Sequence, residues 1–185
     1  MECVAASMKR TANIKLLETL GKSTFLIGNM MEIYTSYFYQ VRFMKPYHIP
    51  LSTAIWDPRW FHQNQKQDYV WKDKNGVYNG LRAEVFAPGP LCEGLCRGPE
   101  TCVTGSPQSC LFLNTYRYQL DQLDYANVIA RCERMGNYIK SLEGFAQDPV
   151  IILLVHEAPQ NPCSERRVIQ EWFASHGKNV HEWHQ

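Results

Sequence analysis

The sequence predicts an α/β fold, a mainly parallel sheet with flanking helices, carrying a cysteine-rich metal-binding loop. Three observations lead there. Val150 to Val155 is continuously apolar, as a strand buried on both faces must be. Glu32 to Tyr37 is β-branched and aromatic, which also favours a strand. Between them, after Cys110, apolar residues recur at three- and four-residue steps. Strand, long helix, strand and helix in this order is the grammar of a parallel sheet with right-handed crossovers.

The 185 residues are enough for one domain with a real core, and residues 31–185 are expected to form it. Apolar residues make up 45% and charged residues 20%, which excludes a disordered chain. The net charge of +1 excludes a strong global attraction to nucleic acid or anionic lipid. No apolar run approaches the roughly 20 residues needed to span a bilayer, so no membrane partner is expected. Residues 1–30 read as an appendage, with a short helix over Ile14 to Leu20 ended by Gly21, and Met30 or Met31 as alternative starts. Charged residues interrupt every apolar stretch before Phe25, so this segment is not a signal peptide and the expected compartment is cytoplasmic.

Along the remaining chain, His48 to Ser52 reads as a second, short strand. Trp56 to Tyr78 is rich in polar and aromatic residues, with Lys74-Asn75-Gly76 as the turn of a hairpin between Tyr69-Val70-Trp71 and Val77-Tyr78. Leu81 to Phe86 is a further candidate strand, broken by Pro88-Gly89-Pro90. Leu120, Leu123, Ile129, Cys132, Ile139 and Leu142 mark a short and a long helix, parted near Asp121–Asp124 and ended by Gly144. Asn161 then caps a last helix that opens on Pro162 and buries Val168, Ile169, Trp172 and Phe173. Gly177 closes it, and Val180 to Trp183 reads as an edge strand.

Cys92, Cys96, Cys102 and Cys110 fall within 19 positions, among glycines and prolines that let a short chain fold round an ion. In a reducing compartment such cysteines are thiols or metal ligands. Four thiolates complete a tetrahedral zinc site or an iron–sulfur cluster, and the metal would supply folding energy that the loop's own side chains lack. The spacings of three, five and seven intervening residues match no common zinc-ribbon or ferredoxin pattern. Cys163 is the alternative to Cys92 as fourth ligand.

The second candidate site follows the best strand. Cys163 is placed in the first turn of the last helix, where unpaired N–H groups and the dipole favour a thiolate or a bound phosphate. Ser164 offers a hydroxyl and Arg166 a fork-shaped donor, with Ser36 and Tyr37 at the matching end of the first strand. Cys163 or Glu157 is the candidate nucleophile or base. Two functions follow as expectations. One is an enzyme acting on a nucleotide, nucleoside or other phosphate-bearing small molecule. The other is a metal-stabilised, non-catalytic module that binds nucleic acid or a protein through the Trp56–Tyr78 aromatics. No P-loop, G-x-G-x-x-G, C-x-x-C or cysteine-phosphatase spacing is present.

Ile151 to Glu157, Pro162-Cys163-Ser164-Glu165-Arg166 and Glu32 to Phe38 together resemble the "domain of unknown function 488" family, in which an apolar strand leads to a cysteine beside an arginine at a helix start. Cys96-Arg97-Gly98-Pro99, Cys102 and Cys110-Leu111-Phe112-Leu113 resemble a cysteine-containing branch of it. The likeness runs from about Met31 to Trp183 as separated motifs. That family's cysteine-histidine-arginine triplet is replaced here by Cys163-Ser164-Glu165-Arg166. The resemblance implies the fold and the position of the site, and brings no activity with it.

Overall fold

The structure is a computed structural model that describes residues 31–62, 70–96 and 106–185. The expected appendage over residues 1–30, with its Ile14–Leu20 helix, lies outside them, as does Cys102. Among the described residues six strands are present: β1 (Glu32–Tyr37), β2 (His48–Ser52), β3 (Trp71–Lys72), β4 (Tyr78–Asn79), β5 (Val150–Val155) and β6 (His181–Glu182). Three α-helices accompany them: α1 (Leu111–Asp121), α2 (Tyr125–Glu143) and α3 (Glu165–Ser175).

Four strands form one sheet in the order β2-β5-β1-β6, every neighbouring pair parallel. The apolar β5 takes an interior place, with Val150 opposite both Glu32 and His48. Residues 151–155 of β5 are fully buried, because both faces of the strand are covered. On one face Ile33, Ile49, Leu51, Ile151, Leu153 and Val155 meet the apolar stripes of α1, α2 and α3. On the other, Ile152 and Leu154 meet Phe38, Val41, Met44, Ala54, Phe61 and Val77. In the described residues that second face is covered by a 3-10 turn (Phe38–Phe43) and the β3–β4 hairpin rather than by a helix. The segment after β2 is aromatic but lacks a helical apolar period, which explains the asymmetry.

The hairpin forms where the turn residues predict. Asp73 Oδ1 accepts from the backbone N–H of Asn75 and Val77, and Gly76 takes the positive φ of 76° that closes the turn. Tyr78 and Lys72 both bond Glu143, which ties the hairpin to the end of α2. Gly144, at φ 66°, ends α2 in the left-handed conformation, its N–H donating to Lys140 O.

Pro50 fixes the place of β2. A proline gives no N–H to a ladder, so β2 belongs at an edge. Its outward donors are all accounted for. His48 N–H bonds Lys45 O at 2.9 Å, Pro50 has none, and Ser52 N–H bonds Leu81 O at 2.9 Å.

Two expectations need correction. Leu81 to Phe86 is not a strand: a single parallel bridge joins Arg82 to Ser52, and Glu84–Phe86 is a 3-10 turn. Beyond the bridge, side chains of α1 hold the backbone from Phe86 to Gly89. Tyr116 donates to Phe86 O, Gln119 donates to Ala87 O and Gln119 Oε1 accepts from Gly89 N–H. The last helix begins at Glu165 with Ser164 as cap, not at Pro162 with Asn161. Ser164 Oγ accepts from Arg166 N–H, whereas Asn161 Oδ1 is used on Cys163 N–H in the preceding turn. Cys163 therefore stands before the helix and not in its first turn.

Candidate functional site

In a parallel sheet the strand ends and their loops gather polar groups at the C-terminal edge. Here three loops do so: the one after β2, the one after β5 and the segment leaving β1.

After β5, Glu157 and Ser164 face each other, Ser164 Oγ donating to Glu157 Oε2 at 3.3 Å. Arg166 is 2% exposed. Its guanidinium bonds the backbone oxygens of Glu157 (3.0 Å) and Ala158 (3.3 Å) and lies 3.4 Å from Glu182 Oε1. It thus clamps the β5–α3 loop to β6. One side of it borders an open depression of about 350 Å³ shared with Pro159, Arg167, Gln170, Glu171 and Glu182. Glu165, in the first turn of α3, is 8% exposed, and burial followed by the charge of Glu157 pushes its carboxyl up to about 8. Cys163 is half-buried against the helical core.

Ser36 and Tyr37 close β1 in register with Leu154 and Val155, at the same end of the sheet. Ser36 is fully buried and donates to Trp183 O at 2.8 Å, which holds the β6 edge. Tyr37 is half-buried, its hydroxyl accepting from Gln40 Nε2. Of the cysteine block, Cys92 and Cys110 are buried and Cys96 is exposed. Burial, then the charge of Glu165, raises the Cys92 thiol above its ordinary range. Among the described residues no three of His, Cys, Asp and Glu are grouped to hold a metal ion.

The loop after β2 holds a constellation that the sequence reading missed. Asp57, its side chain 1% exposed, accepts from Ser52 Oγ through Oδ1 and meets both His62 Nε2 and Arg82 Nη1 (2.6 Å) through Oδ2. Arg82 also donates to Ala54 O at 2.7 Å, and Ala54 N–H returns to Ser52 Oγ. The imidazole is 43% exposed and takes no hydrogen bond at Nδ1 among the described residues. A carboxylate fixed on three sides thus orients a half-exposed ring, which is how acid–base imidazoles are commonly held. Beside it, His156 Nε2 bonds Trp56 O and its ring lies 5.0 Å from that of Phe38.

No family model, curated protein or solved structure matches the chain. The likeness to the domain of unknown function 488 rests on its separated motifs alone. The signal that could have found Asp57 and His62 is positional: both follow a strand, but a short one with no apolar run to mark it. No helix among the described residues is long and apolar enough to cross a membrane.

Proposed function

We propose that the protein is an enzyme that uses acid–base chemistry on a nucleotide, nucleoside or other phosphate-bearing small molecule at the C-terminal ends of β2 and β5. The observation that carries this reading is the half-exposed His62 held by the buried Asp57. His62 Nδ1 accepts a proton from a hydroxyl or water, and the imidazolium that forms faces the Asp57 carboxylate, which is also paired with Arg82. Glu157 and Cys163, on the β5–α3 loop, lie at the same end of the sheet and are the second acid–base or nucleophilic pair open to the ligand. The phosphate-binding role expected of Arg166 is reduced, because its guanidinium already holds two loop carbonyls.

A panel of nucleotides and phosphate monoesters tests this, with binding read by thermal shift and turnover by product release. His62→Ala is expected to lower turnover at least 100-fold, the ordinary contribution of a positioned base. Equal turnover in wild type and variant, or no turnover across the panel, overturns the reading.

A zinc ion in the cysteine block, with an iron–sulfur cluster as the alternative, is a second and separable proposal, supported by four cysteines within 19 positions. Elemental analysis is expected to give about one site per chain, lost in Cys102→Ala. Metal-free protein that melts unchanged after chelation rejects it.

A further inference from the structure

We propose that the ligand of this strand-end surface is a single-stranded nucleic acid, its bases stacking on Trp56, Trp60 and Tyr39 and its phosphates facing Arg42 and Arg59. The inference deepens the functional reading and rests on it, since it takes the His62 end of the sheet as the ligand site.

The argument begins with exposure. Trp56 is 80% exposed, Tyr39 56% and Trp60 44%, although large aromatic rings ordinarily seek burial. They are not scattered. Trp56 and Trp60 flank Asp57 in the loop after β2. The rings of Trp60 and His156 both touch Phe38, at 6.2 and 5.0 Å, and Tyr39 is the chain neighbour of Phe38. The Trp56 backbone is held by the bond from His156 to its O, Trp60 packs on Phe38, and Tyr39 stacks on Tyr37 at 6.1 Å.

Charge supplies the second half. Residues 38–62 contain Arg42 and Arg59, with Lys45 at the far end of β2 beside His48, but a single acid, Asp57, which is buried and paired with Arg82. All three cations are exposed. The surface therefore presents rings and positive charge with no exposed carboxylate from its own segment, although the whole chain is nearly neutral. Arg42 lies 3.2 Å from the centre of the Tyr39 ring, so one station already pairs a cation with a stacking face. Rings alternating with cations are what a strand of splayed bases and phosphates requires, and every base has a face to stack. A mononucleotide would use only one of the three stations. A duplex would hide its bases from all of them.

The experiment uses the full chain and a fluorescently labelled twelve-nucleotide thymidine oligomer. Anisotropy is expected to rise on titration, to weaken steeply between 50 and 200 mM salt, and to exceed the response to a duplex of equal length. Trp56→Ala is expected to weaken binding by roughly 5- to 100-fold, the effect of losing one stacked base. Trp60→Phe, which keeps a ring against Phe38, is expected to weaken it less. Tyr118→Ala, an equally exposed ring on α1, serves as the control for general loss of aromatic surface. Absence of oligomer binding, equal binding of duplex, or an unchanged Trp56→Ala affinity overturns the inference. If His62-dependent turnover of a small phosphate ester persists in that case, the enzyme reading survives alone. If that turnover is absent too, both fall. Self-association in the ultracentrifuge that Trp56→Ala abolishes, without oligomer binding, reassigns the surface to contacts between copies of the chain.

Discussion

Asp57 and His62 divide the work of the constellation unequally, and their substitutions should show it. The carboxylate is buried under three donors, so removing it strands Arg82 and Ser52 as well as His62. Breaking such a buried set costs about 3 kcal/mol, the low end of the usual range because Arg82 and His62 reach solvent. The imidazole is half exposed, and its ion pair contributes no more than about 1 kcal/mol to stability. Urea denaturation of Asp57→Ala is therefore expected to show a large loss and that of His62→Ala a small one. His62→Ala alone should remove turnover from a well-folded chain. A His62→Ala variant as unstable as Asp57→Ala would mean that the ring is there to hold the loop.

At the scale of elements, the start of α3 offers a comparison within three residues. Ser164 accepts the N–H of Arg166, while Asn161 accepts only that of Cys163, outside the helix. Ser164→Ala should cost about 1 kcal/mol or more, because the hydroxyl is buried and also bonded to Glu157, and Asn161→Ala clearly less. Equal losses in thermal unfolding would restore Asn161 as the cap. This helix also shows what could be read in advance. Its buried stripe, Val168, Ile169, Trp172 and Phe173, follows from a period that many residues repeat. Its cap does not, because Asn161 and Ser164 are both good caps and only tertiary burial of Glu165 and Arg166 chooses between them. The order of the sheet was legible in the same sense: an all-apolar β5 must lie inside, and a proline-bearing β2 outside. The Asp57 cluster was not legible, because it joins residues 52, 57, 62 and 82 across a segment with no period, and hydrogen bonds leave no pattern in a sequence. For the same reason Leu81 to Phe86 looked like a strand: its composition suits one, and the Tyr116 side chain that takes Phe86 O lies about 30 residues further on.

Over the whole molecule, two buried groups set opposing pH dependences. Burial, then the nearby Lys45, lowers the His48 imidazole from 6.5 to about 4, and the ring accepts Lys45 N–H in its neutral form. Unfolding frees it to protonate, so stability is lost as pH falls from about 6.5 to 4. Glu165 behaves inversely. Its carboxyl rises from 4.5 to about 8, so the folded chain keeps a proton that the unfolded chain releases. Its contribution is complete below pH 4.5 and is lost as pH rises to about 8. Each slope is about 1.4 kcal/mol per pH unit. Between about 4.5 and 6.5 they cancel, and above 6.5 only the Glu165 slope remains. Unfolding free energy in urea is thus expected to be level from pH 4.5 to 6.5 and to fall by about 2 kcal/mol by pH 8. Glu165→Gln should remove that fall. A decline that persists in the variant would assign it to another group.

The proline in β2 bears on how copies of this molecule meet. A sheet edge with regularly spaced free donors is a template on which a foreign strand can crystallise, and proteins that leave one open tend to polymerise. Along β2 the template is blank: one donor is folded back on Lys45, one is taken by Leu81, and the one between them was never made. The opposite edge, β6, is two residues long. Among the described residues, the β2 margin therefore offers a neighbouring strand no free backbone donor, and the β6 margin is too short to serve as a template.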